Sequence, residues 1–347
     1  MIIAPPVTAD SLIIPPVRQL TVWAVSDGRA GIHNQVLGLA EAIASQVPAQ
    51  IIVRHIRYRR MFDALPTALK LWPDRMLKRD SDIIGPPFPD IWIAAGRATL
   101  PHSLRLKKRS KDQTFVVQLQ NPRTALAPYD LVIAPQHDQV SGDNVLSLQG
   151  ATHRVSLTRL KSEYAAFTDQ IEALGGPYVT VLIGGKSKTR TISPERAETL
   201  ARQIKTAVKR QNATLLLSVS RRTPEAARLI LMDALKDHKG IIYDGEGPNP
   251  YFAFLQAADH ILVTDDSVNM ATEAAATGKP VHILETDRRG AGQKFDLFHK
   301  GLQDYGAARP FSGELRHWNY QPLDETTRAA TEVLKRFNEK YPDRLSK

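Results

Sequence analysis

The chain has 347 residues, no cysteine and a formal net charge of +10. The absence of cysteine excludes disulfides and thiolate metal sites, and 42% apolar with 24% charged residues excludes a disordered polymer. The length suits two domains, and the basic balance points to anionic partners: nucleic acid, anionic lipid or phosphorylated small molecules.

Residues 1–18 carry two Pro-Pro pairs and no basic n-region, which predicts a flexible arm and not a signal peptide. No apolar run reaches the ~18 residues of a spanning helix, so a cytoplasmic location is expected. TVWAVS (21–26) then reads as a strand and NQVLGLAEAIASQV (34–47) as a helix. Between them, SDGRAGIHNQ offers Gly28 and Gly31 for a tight turn and close backbone approach, with free helix N–H groups for an anion. His33 at the helix start is a candidate general base. The spacing is not GxGxxG, and Arg54, His55 and Arg57 stand where an acid would close the next strand, so a nicotinamide dinucleotide site is not expected.

QIIVRHI (50–56) is the next strand, and it opens into a basic stretch over 54–79. That stretch holds eight Lys or Arg against two Asp, interleaved with Tyr58, Phe62, Leu65, Leu69, Leu71 and Trp72. Two readings stay open: a membrane-surface segment, or a solvated loop whose apolar residues face the core, since Pro66 and Pro73 interrupt any single helix. No RNA-binding module is present, and no nucleic-acid partner is expected. DIWIAA (90–95), TFVVQLQ (114–120) and DLVIAP (130–135) are short and almost wholly apolar, as parallel strands buried on both faces are. Gly96 and Arg97 follow the first of them.

Polar turns and a helix over 159–174 intervene, and Gly175, Gly176 and Pro177 end it. The alternation then restarts with strands at 178–185, 214–220, 240–245, 260–265 and 280–284, a helix over 194–211, and a last helix over 324–340. The pattern predicts two doubly wound α/β domains, 19–155 and 177–323, joined by a linker over 156–176 and closed by a helix and tail over 324–347. Ligands bind such sheets at the carboxyl ends of the strands. There stand Gly184, Gly185, Lys186 and Ser187, which lack phosphate-loop spacing yet suit diphosphate oxygens through backbone N–H groups and ammonium charge. Ser220, Arg221 and Arg222 share the rim, and Asn249 and Tyr251 precede a helix where a base or ribose can lodge. In TDDSVNMATE, Ser267 reads as an N-cap, with Val268, Asn269 and Met270 exposing first-turn amides to a diphosphate. Glu273 lies roughly 9 Å further along the helix axis, about the distance from a diphosphate to its ribose hydroxyls. Asp265 and Asp266 are read as shaping the cap and not as a metal-binding pair.

SDGRAGIHNQVLGLAEAI, LIGGKSKT, SRRTP and NPYFAFLQAADHILVTDDSVNMATEAAATGKPV together resemble the elongated-mitochondria (mitochondrial fission) family. Its bacterial members are regarded as GT-B glycosyltransferases. The resemblance implies two Rossmann-like domains facing across a cleft, with a nucleoside diphosphate sugar on the second domain and no cofactor or metal. It places Glu273 on the donor ribose, Ser267 to Met270 on the diphosphate, the Gly184–Gly185 loop along the donor site, and Gln293 with Lys294 at the donor sugar. The acceptor, an envelope, glycolipid or lipid-linked molecule, falls to Asp27, Gly28, Gly31, Gln35, Gly96 and Arg97, in a protein peripheral to the cytoplasmic membrane. The alternatives are a sugar-nucleotide 2-epimerase of the same fold and a non-enzymatic adaptor.

Overall fold

The computed structural model describes residues 18–345. All of the expected amino-terminal arm but Arg18 lies outside the described residues, as do the last two residues of the expected tail. The first domain runs β1 (Leu20–Ser26), α1 (Ala30–Ala44), β2 (Ala49–His55), a one-turn α2 (Arg60–Asp63), β3 (Ile91–Ala95), α3 (Leu100–Arg109), β4 (Phe115–Leu119), β5 (Leu131–Pro135) and β6 (Val145–Leu148). Its six strands pair in parallel in the order β2-β1-β3-β4-β5-β6. The chain therefore winds one way from β1 to β2 and the other way from β3 onward, and the reversal opens a crevice at the carboxyl ends of β1 and β3.

Two short helices follow, α4 (Leu157–Ala165) and α5 (Thr168–Glu172). The helix expected over 159–174 is thus divided by a turn at Ala166 and Phe167, where Phe167 takes φ −123 and ψ 3 and leaves helical geometry. The second domain comprises β7 (Tyr178–Ile183), β8 (Arg190–Thr191), α6 (Pro194–Arg210), β9 (Thr214–Val219), α7 (Glu225–Leu235), β10 (Gly240–Tyr243), α8 (Tyr251–Ala257), β11 (His260–Thr264), α9 (Val268–Ala275), β12 (Val281–Leu284), β13 (Asp287–Arg288), α10 (Gln293–Asp304) and β14 (Ala308–Pro310). Its parallel order is β10-β9-β7-β11-β12-β14, with its reversal between β7 and β11. β8 and β13 form a small antiparallel pair outside that sheet.

The last helix, α11 (Glu325–Lys340), leaves the second domain and packs beside α1 on the first sheet. Ala329, Ala330, Val333, Leu334 and Phe337 join the core built by Val22, Ile93 and Val117. Full burial of a side chain such as Val333 or Phe337 contributes about 1.5–3 kcal/mol, so the return holds the two domains in register. Where the chain crosses between domains, Glu41 of α1 accepts from Arg154 at 2.6 Å and Arg159 at 3.0 Å. Among the described residues no helix is long and apolar enough to cross a membrane.

Gly38 lets α1 lie against this crossing, because a Cβ there would stand 2.2 Å from the His153 carbonyl oxygen. Overpacking of that kind costs about 1–3 kcal/mol. Gly38→Ala is expected to lower the melting temperature accordingly, and a thermal scan identical to wild type would contradict this packing.

Candidate functional site

The two reversals in strand order face each other through the first turns of α1 and α9. Asn269 of α9 donates from Nδ2 to the Gly31 carbonyl at 3.1 Å and accepts from Gln35 Nε2 at 2.8 Å. Gln35 Oε1 in turn accepts from Gln120 Nε2 at 3.0 Å. A Cβ on Gly31 would lie 2.8 Å from Asn269 Nδ2, which explains why a glycine stands there. Gly31 and Gln35, expected on the acceptor side, thus meet the amino end of the helix expected to hold the donor. The Asn269 side chain thus clasps the two domains, a contact separate from the backbone amide that the sequence reading singled out.

In the second crevice, Ser267 caps α9 by accepting from the Met270 amide at 3.3 Å. The Met270 amide is therefore spent, and it is the amides of Val268 and Asn269 that have no protein acceptor among the described residues. Such first-turn donors, with the helix dipole behind them, favour an anion. Two turns on, Glu273 is buried and accepts from the Tyr251 hydroxyl at 2.5 Å. Tyr251 begins α8, and the exposed Asn249 two residues before it accepts the Tyr251 amide on Oδ1 at 3.1 Å. Burial pushes the Glu273 carboxyl up to about 7, against the Tyr251 bond that lowers it, and burial beside Glu273 drives the Tyr251 phenol well above its ordinary value.

The glycine loop after β7 behaves differently from expectation. The Gly184 amide donates to Thr264 Oγ1 at 2.7 Å, Gly185 to Asp266 Oδ2 at 2.8 Å, Lys186 to the Arg222 carbonyl at 2.9 Å and Ser187 to the Arg190 carbonyl at 2.9 Å. All four amides are committed inside the fold, so backbone binding of a diphosphate by this loop is corrected. The side chains of Lys186 and Lys188 on this loop are exposed. The glycines serve close approach: a Cβ on Gly184 would meet Asp266 Oδ1 at 2.0 Å, and one on Gly185 the Arg222 backbone at 2.2 Å. Arg221 and Arg222 are exposed on the same rim, with the Arg222 guanidinium 3.8 Å from Asp266, while Ser220 Oγ accepts the Arg222 amide at 3.2 Å.

Both aspartates are thereby explained. Asp266 holds Thr264 Oγ1 at 2.7 Å as well as Gly185, and burial raises its carboxyl above the ordinary range against those bonds. Asp265 accepts the Thr286 amide at 3.1 Å and faces Arg190 at 3.1 Å, and Arg190 reaches on to Asp296 at 2.9 Å. Arg190 is 3% exposed and went unread in the sequence, although a charged residue between the polar loop and the apolar Ile192 marks an internal ion pair. Among the described residues no cluster of three His, Asp or Glu has a metal-holding arrangement.

At the first crevice, His33 falls within the first turn of α1, which begins four residues earlier than expected. Its ring centre lies 5.3 Å from that of His55 at the end of β2, and its Nδ1 is buried without a partner among the described residues. Burial first, then His55, lowers its pKa and favours the neutral imidazole that a base requires. Asp27 is tied to Arg29 at 2.6 Å, and Arg97 donates to the carbonyls of Ala64 and Leu65. Gly28 and Gly96 carry the left-handed turns, at φ +82 and +88, that end β1 and β3. On the far side, Lys294 of α10 bridges to Asp138 of the first domain, and Gln293 is exposed beside it.

Two parallel doubly wound domains with apposed crevices and a carboxyl-terminal helix returned to the first domain define a GT-B fold. The chain belongs to the family described as mitochondrial fission ELM1, whose model matches residues 30–337. It is 30% identical over 275 residues to the mitochondrial fission protein ELM1 of Arabidopsis thaliana, covering 71% of this chain and 63% of that protein, so it spans less than two thirds of the plant relative. An uncharacterised protein of Rickettsia prowazekii is 25% identical over 91% of this chain and 98% of its own length. Among solved structures, a candidate UDP-N-acetylglucosamine 2-epimerase of Listeria monocytogenes superposes with TM-score 0.56 at 12% identity, covering 95% of this chain and 99% of that one. The Methanocaldococcus jannaschii UDP-GlcNAc 2-epimerase, in complex with UDP-GlcNAc and UDP, gives 0.53 at 14% identity over 92% and 99%.

Because the folded Glu273 carboxyl lies above its unfolded value of 4.5, the native state keeps a proton that the unfolded chain releases. The stability linked to it is complete below pH 4.5 and is lost as pH rises towards about 7. Over that interval wild type should lose about 3 kcal/mol relative to Glu273→Gln, measured by urea unfolding at each pH. Parallel stability curves for the two proteins would contradict the assignment.

Proposed function

We propose that the protein is a metal-independent GT-B glycosyltransferase that moves a sugar from a nucleoside diphosphate sugar to an envelope, glycolipid or lipid-linked acceptor. The observation that carries this reading is the second crevice: two unbonded amides at the start of α9, with a buried carboxylate two turns along. The diphosphate lies on the amides of Val268 and Asn269, with Arg222, Lys186 and Lys188 supplying positive charge as it leaves. Glu273 Oε1, which accepts no protein hydrogen bond among the described residues, receives the ribose hydroxyls, while Tyr251 holds the other oxygen and positions the group. Gln293 and Lys294 face the donor sugar from α10. The acceptor hydroxyl enters from the first domain past Asp27, Gly28, Gly96 and Arg97, and His33, kept neutral by burial, takes its proton.

A second reading is a sugar-nucleotide 2-epimerase, favoured by the likeness of the fold to solved UDP-GlcNAc 2-epimerases. Incubation with UDP-GlcNAc and no acceptor separates the two, since conversion to the 2-epimer under those conditions supports the second reading alone.

The donor site is tested by calorimetry with a panel of nucleoside diphosphates. Glu273→Ala should bind the cognate nucleotide about tenfold or more weakly, as loss of charged hydrogen bonds worth about 1.5–3 kcal/mol requires. Equal affinity in the variant would sink the ribose assignment, and no binding by wild type to any nucleotide would sink the reading as a whole.

A further inference from the structure

In the first domain the link from β2 to β3 is no ordinary crossover helix. Residues 56–90 form an irregular excursion pinned at a few points: Tyr58, Met76, Leu77 and Ile84 are buried in the core beneath it. Lys70 is 1% exposed and lays its ammonium 4.1 Å from the centre of the Tyr58 ring. The excursion is thus anchored from below, yet it carries Met61, Leu69, Leu71, Trp72 and Ile83 at 55–80% exposure on its outer side. These are five of the ten exposed large apolar side chains among the described residues. Singly scattered exposed apolar residues need no explanation, whereas a concentration of them in one segment does.

The charge around these side chains is positive and largely unspent. Arg57 pairs with Asp80 and Arg54 with Asp82, but Arg60, Arg75, Lys78 and Arg79 have no carboxylate partner among the described residues. Directly alongside, at the first domain's strand reversal, lies a cavity of about 430 Å³ whose walls hold four cations, Arg29, Arg57, Lys78 and Arg97, against two carboxylates, Asp27 and Asp63, of which Asp27 is already paired with Arg29. Tyr58 also lines it, buried, and its hydroxyl has no hydrogen-bond partner among the described residues. An oxyanion with several acceptor oxygens suits those groups together.

We propose that the excursion docks on an anionic phospholipid bilayer, its apolar side chains entering the interface while the adjoining basic cavity takes a phosphate headgroup. Unpaired cations interleaved with apolar side chains are complementary to that surface, where apolar groups sink below the phosphates and basic groups stay among them. The inference deepens the acceptor half of the function proposed above and rests on it for one point only, that the molecule at the headgroup is the acceptor.

The test is sedimentation of the full chain with vesicles of phosphatidylcholine alone and of phosphatidylcholine mixed with phosphatidylglycerol. Wild type should bind the mixed vesicles and scarcely the neutral ones. Lys78→Gln with Arg79→Gln should weaken that binding by about 25-fold, at about fivefold per charge removed near the surface. Leu71→Ser with Trp72→Ser should also release the protein, and both pairs are exposed, so melting temperatures should stay near wild type. Equal binding to both vesicle types, no binding by wild type, or double variants that bind like wild type would each overturn the proposal; capture of a protein partner by a chain that ignores vesicles does the same. Nucleoside diphosphate calorimetry on the same preparations separates the two claims. Vesicle binding without nucleotide binding supports the docking face and sinks only the donor site, and the reverse result sinks only the docking face.

Discussion

The carboxylate of Asp266 is the point on which the second crevice depends. It stands at the end of β11, takes the Gly185 amide and the Thr264 hydroxyl, and occupies the space that a side chain on Gly184 would need. A buried carboxylate held by polar donors is costly to leave unpaired, so the β7 loop is bound closely to β11. With the loop drawn in, the amides of Val268 and Asn269 in the first turn of α9 remain unbonded among the described residues. Asp265 does the matching work on the other side, through Thr286 and Arg190, and ties β11 to the strands beyond it.

Across the cleft the same economy of space recurs. Gly31 admits Asn269, and Asn269 with Gln35 and Gln120 forms a chain of amides that sets the first domain against the second. α11 and the Glu41 ion pairs do so at the other end of the interface. The separation of the two crevices is therefore a property of packed side chains near their mouths. A ligand bound on α9 would lie within one helical turn of the clasp.

Much of the fold was legible in the sequence because parallel strands buried on both faces write themselves as short apolar runs, and each of the ten predicted strands has a counterpart in the two sheets. β6, β14 and the β8–β13 pair were not legible: they are two to four residues long, and tertiary pairing, not pattern, defines them. Ser267 was readable as a cap because serine before a small-residue helix has a local cause. The partners of the glycine loop were not, since a Gly-Gly-Lys-Ser run looks the same whether its amides face a ligand or an aspartate eighty residues away. The Tyr251–Glu273 bond was hidden for the same reason: both residues were singled out, but no spacing rule joins positions 22 residues apart. In the 54–79 stretch the expectation that the apolar residues face the core holds for Tyr58 but not for Leu69, Leu71 and Trp72, which are exposed.

The central claim is that α9, and not the glycine loop, receives the diphosphate. Amide hydrogen exchange with and without a saturating nucleoside diphosphate tests it most directly, because exchange reports which N–H groups acquire a partner. New protection is expected at Val268 and Asn269, with little change at Gly184 to Ser187, whose amides are already bonded. Protection gained in the glycine loop, with the start of α9 unchanged, would contradict it.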